Sequence, residues 1–177
     1  MNVFFEHPLI KKDAVEQRDY QVDLARLALR SNTLVVLPTG MGKTVVALIV
    51  MAKVLEKRKG KVLLLAPTKP LVDQHASFFR DRMVGKSVTV LTGEVEPEER
   101  EALWIQNDII VSTPQVVAND LKNDRVSLKD VQLIVFDEAH RAVGSYAYVA
   151  VAQAYRDYDR LVLGMTASPG GSKAKIK

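Results

Sequence analysis

Val35-Val36-Leu37-Pro38-Thr39-Gly40-Met41-Gly42-Lys43-Thr44-Val45-Val46 joins a short apolar strand to an amphipathic helix through a turn suited to phosphate. A phosphate-binding loop needs a glycine-bearing turn whose N–H groups point inward, a lysine that reaches the outer phosphates and a hydroxyl that can hold magnesium. Gly40, Gly42, Lys43 and Thr44 supply these parts in order, and Thr39 and Met41 complete the candidate loop. The helix that starts near Lys43 turns the positive end of its dipole toward the bound anion, so the geometry favours phosphate before the lysine charge is counted. One position departs from the G-x-x-x-x-G-K-[ST] pattern: residue 37 is leucine, and Pro38 and Thr39 shape the turn instead. Taken alone, the stretch also reads as a glycine-rich strand-to-helix turn that carries Gly-Lys-Thr by chance.

Working outward, Thr33 to Leu37 reads as a strand and Lys43 to Lys57 as a helix closed by Lys57, Arg58, Lys59 and Gly60, cations in the last turn and glycine beyond it. Continuous apolar runs follow at Lys61–Ala66, Val88–Leu91, Asp108–Ser112, Val131–Phe136 and Leu161–Met165. Between them lie a helix to about Met83, a helix from Pro97 to Trp104 and a helix that begins at Thr113-Pro114-Gln115. Unbroken rather than alternating apolar strands, separated by helices, signal a parallel sheet covered on both faces. Upstream, helical spacing of Val15, Val22, Leu24, Leu27 and Ala28 predicts a helix from Asp13 to Arg30.

Composition narrows the class. The 177 residues, 47% of them hydrophobic, suffice for one sizeable core, and no apolar run approaches the roughly 20 residues that cross a bilayer. Glu6, His7 and Pro8 stand where a signal peptide would need an apolar segment, and the absence of cysteine excludes disulfides and cysteine-based zinc sites. The expectation is a cytoplasmic chain with no membrane partner. A net charge of +4 suits a polyanionic partner and is equally ordinary for solubility.

In an open parallel sheet, ligands bind outside the carboxyl ends of the strands. Asp137-Glu138 follows the apolar run Leu133-Ile134-Val135-Phe136, so an acidic pair emerges on the rim that carries the phosphate loop. Asp137 can hold magnesium, and Glu138 can orient and deprotonate an attacking water. Seen alone, two such acids are often a solvated strand end. His140, three residues on, can face a neighbouring motif and sense the γ-phosphate. Tyr20 and Gln21 can reach an adenine, the tyrosine by stacking or packing and the glutamine by its two-sided amide; a solvated glutamine beside a half-buried tyrosine is the other reading.

Taken together, Pro38-Thr39-Gly40-Met41-Gly42-Lys43-Thr44, Ala66-Pro67-Thr68-Lys69-Pro70-Leu71-Val72, Thr92-Gly93, Ser112-Thr113-Pro114-Gln115, Asp137-Glu138-Ala139-His140 and Thr166-Ala167-Ser168 resemble the successive motifs of the first RecA-like domain of a superfamily 2 helicase. Arg18-Asp19-Tyr20-Gln21 resembles the adenine-reading element of that family. Leu37-Pro38-Thr39-Gly40 and Val135 to Gly144 are most similar to the branch of archaeal Hef, FANCM-like translocases and, more distantly, RIG-I-like RNA sensors, where leucine at the position of Leu37 is normal.

The resemblance implies an α/β RecA-like P-loop NTPase domain over residues 1–169, its mostly parallel central sheet flanked by helices, with the start of a linker over 170–177. It implies ATP and Mg2+ as cofactors: Lys43 on the β- and γ-phosphates, Thr44 and Asp137 on Mg2+, Glu138 as base and Gln21 on adenine. Thr68, Lys69, Gly93, Thr113 and Pro114 are then the nucleic-acid track, and His140, Thr166 and Ser168 the link between hydrolysis and strand movement. The threonines that follow strands read equally well as helix caps, and a cap and a phosphate ligand can be one group. The implied activity is an ATP-dependent DEAH-box motor acting on structured DNA such as forks, with a second RecA-like domain as partner. A motor on double-stranded RNA, a P-loop NTPase without nucleic acid and a non-catalytic nucleic-acid-binding module are the alternatives.

Overall fold

The computed structural model describes residues 2–142 and 144–167. The expectations for Ser168 and for a linker over 170–177 fall outside them. Six strands, β1 (Thr33–Leu37), β2 (Lys61–Leu65), β3 (Val88–Leu91), β4 (Ile109–Ser112), β5 (Val131–Asp137) and β6 (Leu161–Ala167), form one sheet in the order β1-β6-β5-β2-β4-β3. Every pairing is parallel.

Because successive strand residues point to opposite faces, each apolar strand feeds two cores. Leu133 and Val135 of β5 join Val62 and Leu64 of β2 against α2 (Lys43–Lys57), α3 (Lys69–Arg82) and α1 (Asp19–Ala28). Ile134 and Phe136 join Leu63 and Leu65 against α4 (Pro97–Gln106), α5 (Pro114–Lys122) and α6 (Tyr146–Arg156). The α2 helix is apolar almost all round, with Val46 through Ala52 buried, as a helix under the middle of a sheet must be.

Helices cover both faces of the sheet, as expected, except at the β1 edge. At the β1 edge Val35 is buried, but Leu34 and Val36, on the other face, are 59% and 48% exposed. The α1 helix also starts later than its periodicity suggests. Val15 is buried, but as part of an N-terminal pairing in which Phe5 N–H donates to Val15 C=O, with Asp13 at a φ of 59° breaking any continuous helix. The α6 helix was not anticipated.

On the second face, α4 and α5 are joined by a buried ion pair. Arg100 donates from Nε and Nη2 to the two oxygens of Asp120 at 2.8 and 2.7 Å and from Nη1 to Val95 C=O at 2.6 Å. A fork-to-fork pair of this kind fixes geometry, and removing one partner strands a buried charge. Asp120→Ala is therefore expected to lower unfolding stability by about 3–5 kcal/mol in urea melts, whereas the double change Arg100→Met, Asp120→Leu restores most of it.

The strand order also sorts the polar motifs. The turns after β1, β6 and β5 lie side by side at one end of the rim, and those after β2, β4 and β3 at the other. The phosphate-loop candidate and the acidic pair thus share one half, while Thr68, Thr113 and Gly93 share the second.

Candidate nucleotide and nucleic-acid site

The loop between β1 and α2 is held by backbone geometry that only glycine adopts easily. Gly40 has a φ of 88° and Gly42, the N-cap of α2, a φ of 77°. Met41 N–H donates to Pro38 C=O at 3.1 Å, closing the turn, and no side chain caps the first N–H groups of α2. Those groups are available to an anion. Thr39, Gly40 and Met41 are exposed, and Lys43 and Thr44 half-buried at the helix start.

Gln21 is 2% exposed, so the reading of a solvated glutamine does not hold. Its Nε2 donates to the carbonyls of Met41 and Gly42 at 3.1 and 3.3 Å, and the Tyr20 hydroxyl donates to the Met41 carbonyl at 2.7 Å. A Cβ on Gly42 would fall 2.2 Å from Gln21 Nε2, which gives this glycine a second reason to be one. The first turn of α1 thus braces the loop from behind.

Across the rim, Asp137 ends β5 and is 2% exposed. Its Oδ1 faces Lys43 Nζ at 3.2 Å and accepts from the Glu138 N–H at 2.9 Å; its Oδ2 accepts from His75 Nε2 at 2.6 Å. Burial disfavours the charge, but the hydrogen bond from His75, the Lys43 ammonium and the Glu138 amide outweigh it and hold the carboxyl below the ordinary aspartate range. Asp137 is accordingly anionic at neutral pH.

Glu138 stands at a φ of 49°, a left-handed conformation that non-glycine residues rarely take. Arg141 Nε lies 3.0 Å from its Oε2 as an ion pair, yet that buried oxygen receives no well-aligned hydrogen bond among the described residues. A half-buried carboxylate at the end of β5 is placed to accept a proton from a water on the rim. Below it, the Tyr148 hydroxyl of α6 donates to the Asp137 carbonyl at 3.0 Å, and burial raises its pKa so that it stays a donor. His140, in a 3-10 turn at Ala139–Ala142, lies with Nδ1 2.8 Å from the Thr166 hydroxyl on β6, so these two expected coupling residues meet.

In the second half of the rim, Thr68 is the N-cap of α3 and its hydroxyl accepts from Leu71 N–H at 3.4 Å, so for Thr68 the capping role is real. Thr113 is the N-cap of α5 but makes no side-chain cap bond, which leaves its hydroxyl for another partner. Lys69 and Gly93 are exposed, and Lys69 Nζ pairs with Glu94 Oε2 at 3.0 Å beside Gly93. Pro114 is buried at the first position of α5. It shapes the helix start.

His75 and Tyr148 are the contributors that sequence reading missed. For His75 a signal existed: Val72, His75, Ala76 and Phe79 are the buried stripe of α3, and a lone imidazole in an apolar stripe needs a polar partner. Tyr148 gave no comparable sign.

A glycine-held loop with uncapped N–H groups, a lysine on a buried aspartate and a following glutamate thus stand together on the rim of a RecA-like sheet. The chain belongs to the DEAD/DEAH box helicase family, whose model matches residues 18–176. A putative ATP-dependent RNA helicase of Methanocaldococcus jannaschii is 42% identical over 98% of this chain and 22% of its own length. An ATP-dependent DNA helicase, mph1, of Neurospora crassa is 41% identical over 88% of the chain and 14% of its own. The solved Pyrococcus furiosus Hef helicase domain superposes with a TM-score of 0.87 at 50% identity, covering 95% of this chain and 37% of that one. The chain therefore spans between a seventh and a quarter of the length of these curated relatives.

Proposed function

We propose that this chain, over residues 1–169, is the first RecA-like domain of a cytoplasmic, ATP-dependent helicase or translocase that moves on structured DNA such as forks. Residues 170–177 would begin the linker to a second such domain. The observation that supports the reading is the strand order, which puts the turns after β1 and β5 in one half of the rim and those after β2, β4 and β3, with exposed Thr68, Lys69 and Gly93 and half-buried Thr113, in the other.

In this reading Thr39 through Thr44 wrap the triphosphate, Lys43 moves from Asp137 to the β- and γ-phosphates, and Gln21, whose Nε2 is spent on the loop, meets the adenine amino group with Oε1. Magnesium fits the donors available. Among the described residues no group of three or more His, Asp or Glu side chains forms a cage. Mg2+ asks for none, since it binds one or two protein oxygens and keeps waters and substrate phosphates as its other ligands. The Asp137 carboxylate and the Thr44 hydroxyl would hold it, and when bound it neutralises charge on the phosphates. Glu138 takes the proton of the attacking water, and the His140–Thr166 contact carries the outcome toward the strand.

Thr113, Lys69, Gly93 and the N–H groups at the start of α3 and α5 grip a phosphodiester backbone without reading bases. Such contacts suit DNA and RNA alike. DNA is favoured because the mph1 relatives, 41% identical to this chain, are named DNA helicases, although the Methanocaldococcus relative is named for RNA. The test is ATP hydrolysis by the full-length protein with forked DNA, single-stranded DNA and duplex RNA, using Lys43→Ala as the inactive control. Stimulation by forked DNA well above RNA is expected; stimulation by duplex RNA alone makes it an RNA motor, and none at all reduces it to an NTPase of another kind.

Lys69→Ala is expected to weaken binding about equally for unrelated sequences and to reduce the slope of log K against log salt by about one phosphate contact. Fluorescence anisotropy across a salt series checks this, and a changed sequence preference would contradict a backbone role.

A further inference from the structure

We propose that His75 is the positioning residue of the metal acid: its Nε2–H holds Oδ2 of Asp137 so that Oδ1 is the oxygen presented to magnesium. This rests on the reading of Asp137 as a magnesium ligand given above.

The two oxygens of Asp137 have separate surroundings. Oδ1 looks toward the phosphate loop, where it meets the Lys43 ammonium and the Glu138 amide. Oδ2 looks into the protein, where among the described residues it meets His75 alone at 2.6 Å, with both side chains almost fully buried at 7% and 3% exposure. A carboxylate is an acceptor only, so the imidazole nitrogen facing it carries the hydrogen. The His75 ring is itself fixed, stacked on Phe79 one turn further along α3 with centroids 6.2 Å apart and planes within 15°. A carboxylate free to rotate could offer either oxygen, or both, to a cation. One short bond from a clamped ring leaves a single oxygen and a single direction.

The bond also crosses the division of the rim. β2 and β5 are neighbours in the sheet, β2 leads into α3, and α3 carries Thr68 and Lys69 at its start and His75 on its second turn. It is therefore a side-chain link from the helix that bears part of the backbone grip to the acid of the nucleotide half. The contact is within the chain, 62 residues apart in sequence, and requires no second domain.

The ordinary alternative is that His75 merely satisfies a buried aspartate and contributes stability. Metal dependence separates the two. In the full-length protein, a fluorescent ATP analogue is titrated at a series of Mg2+ concentrations and again in EDTA, for wild type, His75→Phe, His75→Gln and Asp137→Asn. Phenylalanine keeps the ring and its stack on Phe79 but has no donor; glutamine can place an amide nitrogen where Nε2 stood. Removing an orienting partner of a metal ligand characteristically costs about 10–100-fold in metal affinity or activity. His75→Phe is expected to raise the Mg2+ half-saturation by about that factor while leaving affinity in EDTA unchanged, and His75→Gln to recover most of the loss.

If Asp137→Asn loses its Mg2+ dependence while His75→Phe keeps the wild-type value, the proposal falls and the metal-acid reading stands. If Asp137→Asn itself keeps the wild-type Mg2+ response, the metal-acid reading falls and takes this proposal with it. Equal losses in His75→Phe and His75→Gln that persist in EDTA would show general damage and also overturn it. Should His75→Phe fail to fold by circular dichroism, His75→Asn replaces it, with its donor held short of Oδ2. A wild-type Mg2+ response in that variant counts against the proposal, and a raised half-saturation supports it.

Discussion

Replacing Glu138 by glutamine is expected to slow ATP hydrolysis by the full-length protein about 10²–10⁴-fold while nucleotide affinity stays within a few-fold of wild type. The change keeps shape and removes the proton acceptor. Asp137, Thr44 and Lys43 are untouched, so phosphate and metal binding have no reason to weaken. Glu138 is suited to the task by its setting: it lies half-buried directly after β5, placed to accept a proton from a water on the rim. Among the described residues its one close cation is Arg141 at 3.0 Å. That ion pair supplies a rival account in which Glu138 only holds Arg141, and Arg141→Ala decides it. If Glu138 is the base, Arg141→Ala is the milder variant; if Glu138 serves Arg141, the two variants match. Equilibrium nucleotide binding and single-turnover hydrolysis, measured on the same preparations, give both numbers. Hydrolysis within a few-fold of wild type would remove Glu138 from the role of base.

What the sequence made legible was what is encoded locally. Thr33–Leu37, Lys43–Lys57 and Val88–Leu91 carry their own bounds, because apolar runs there meet glycine, proline or a change of period within a residue or two. The phosphate loop and the acidic pair were legible for the same reason, each lying in one short stretch at a strand end. The α1 helix was drawn too long because Val15 fits the helical stripe by spacing, yet it is buried through pairing with Phe5, a contact that no window of sequence contains. The α6 helix was missed although Ala147, Tyr148, Val151 and Tyr155 recur at helical spacing, since its valines and tyrosines favour strand about as well.

The remainder of the site depends on strand order. Nothing in the chain states that β6 inserts between β1 and β5, and that insertion sets Lys43 and Asp137 across one strand from each other and brings His140 to Thr166. His75 against Asp137 depends likewise on β2 lying beside β5. The uncovered face at Leu34 and Val36 is of the same kind: both look like core residues in an apolar strand until the strand proves to be an edge.

The 177-residue chain by itself is expected to bind nucleotide yet hydrolyse it about 10³–10⁵-fold more slowly than the full-length protein, the range that an arginine supplied to the transferring phosphate commonly contributes. Phosphoryl transfer is catalysed by positioning and by stabilising charge on the phosphate, and this domain offers the first without completing the second. Two of its late arginines are already paired. Arg141 faces Glu138, and Arg160 donates to the carbonyls of Lys129 and Val131 at 2.7 and 2.9 Å, at the end of the sheet opposite the phosphate loop. On the proposed reading Lys43 and the N–H groups of the loop would neutralise the phosphates from below, which would leave the open side of the nucleotide to a second domain closing over it. The exposed Leu34 and Val36 bear on how the experiment is done, since an uncovered apolar edge favours association, and sedimentation should accompany every assay. Phosphate release is followed with and without forked DNA, against Lys43→Ala to exclude contamination. DNA-stimulated hydrolysis near the full-length rate by a monomeric chain would show that the site is complete within these residues. The same rate found only in a dimer would mean that one copy supplies the missing charge to another.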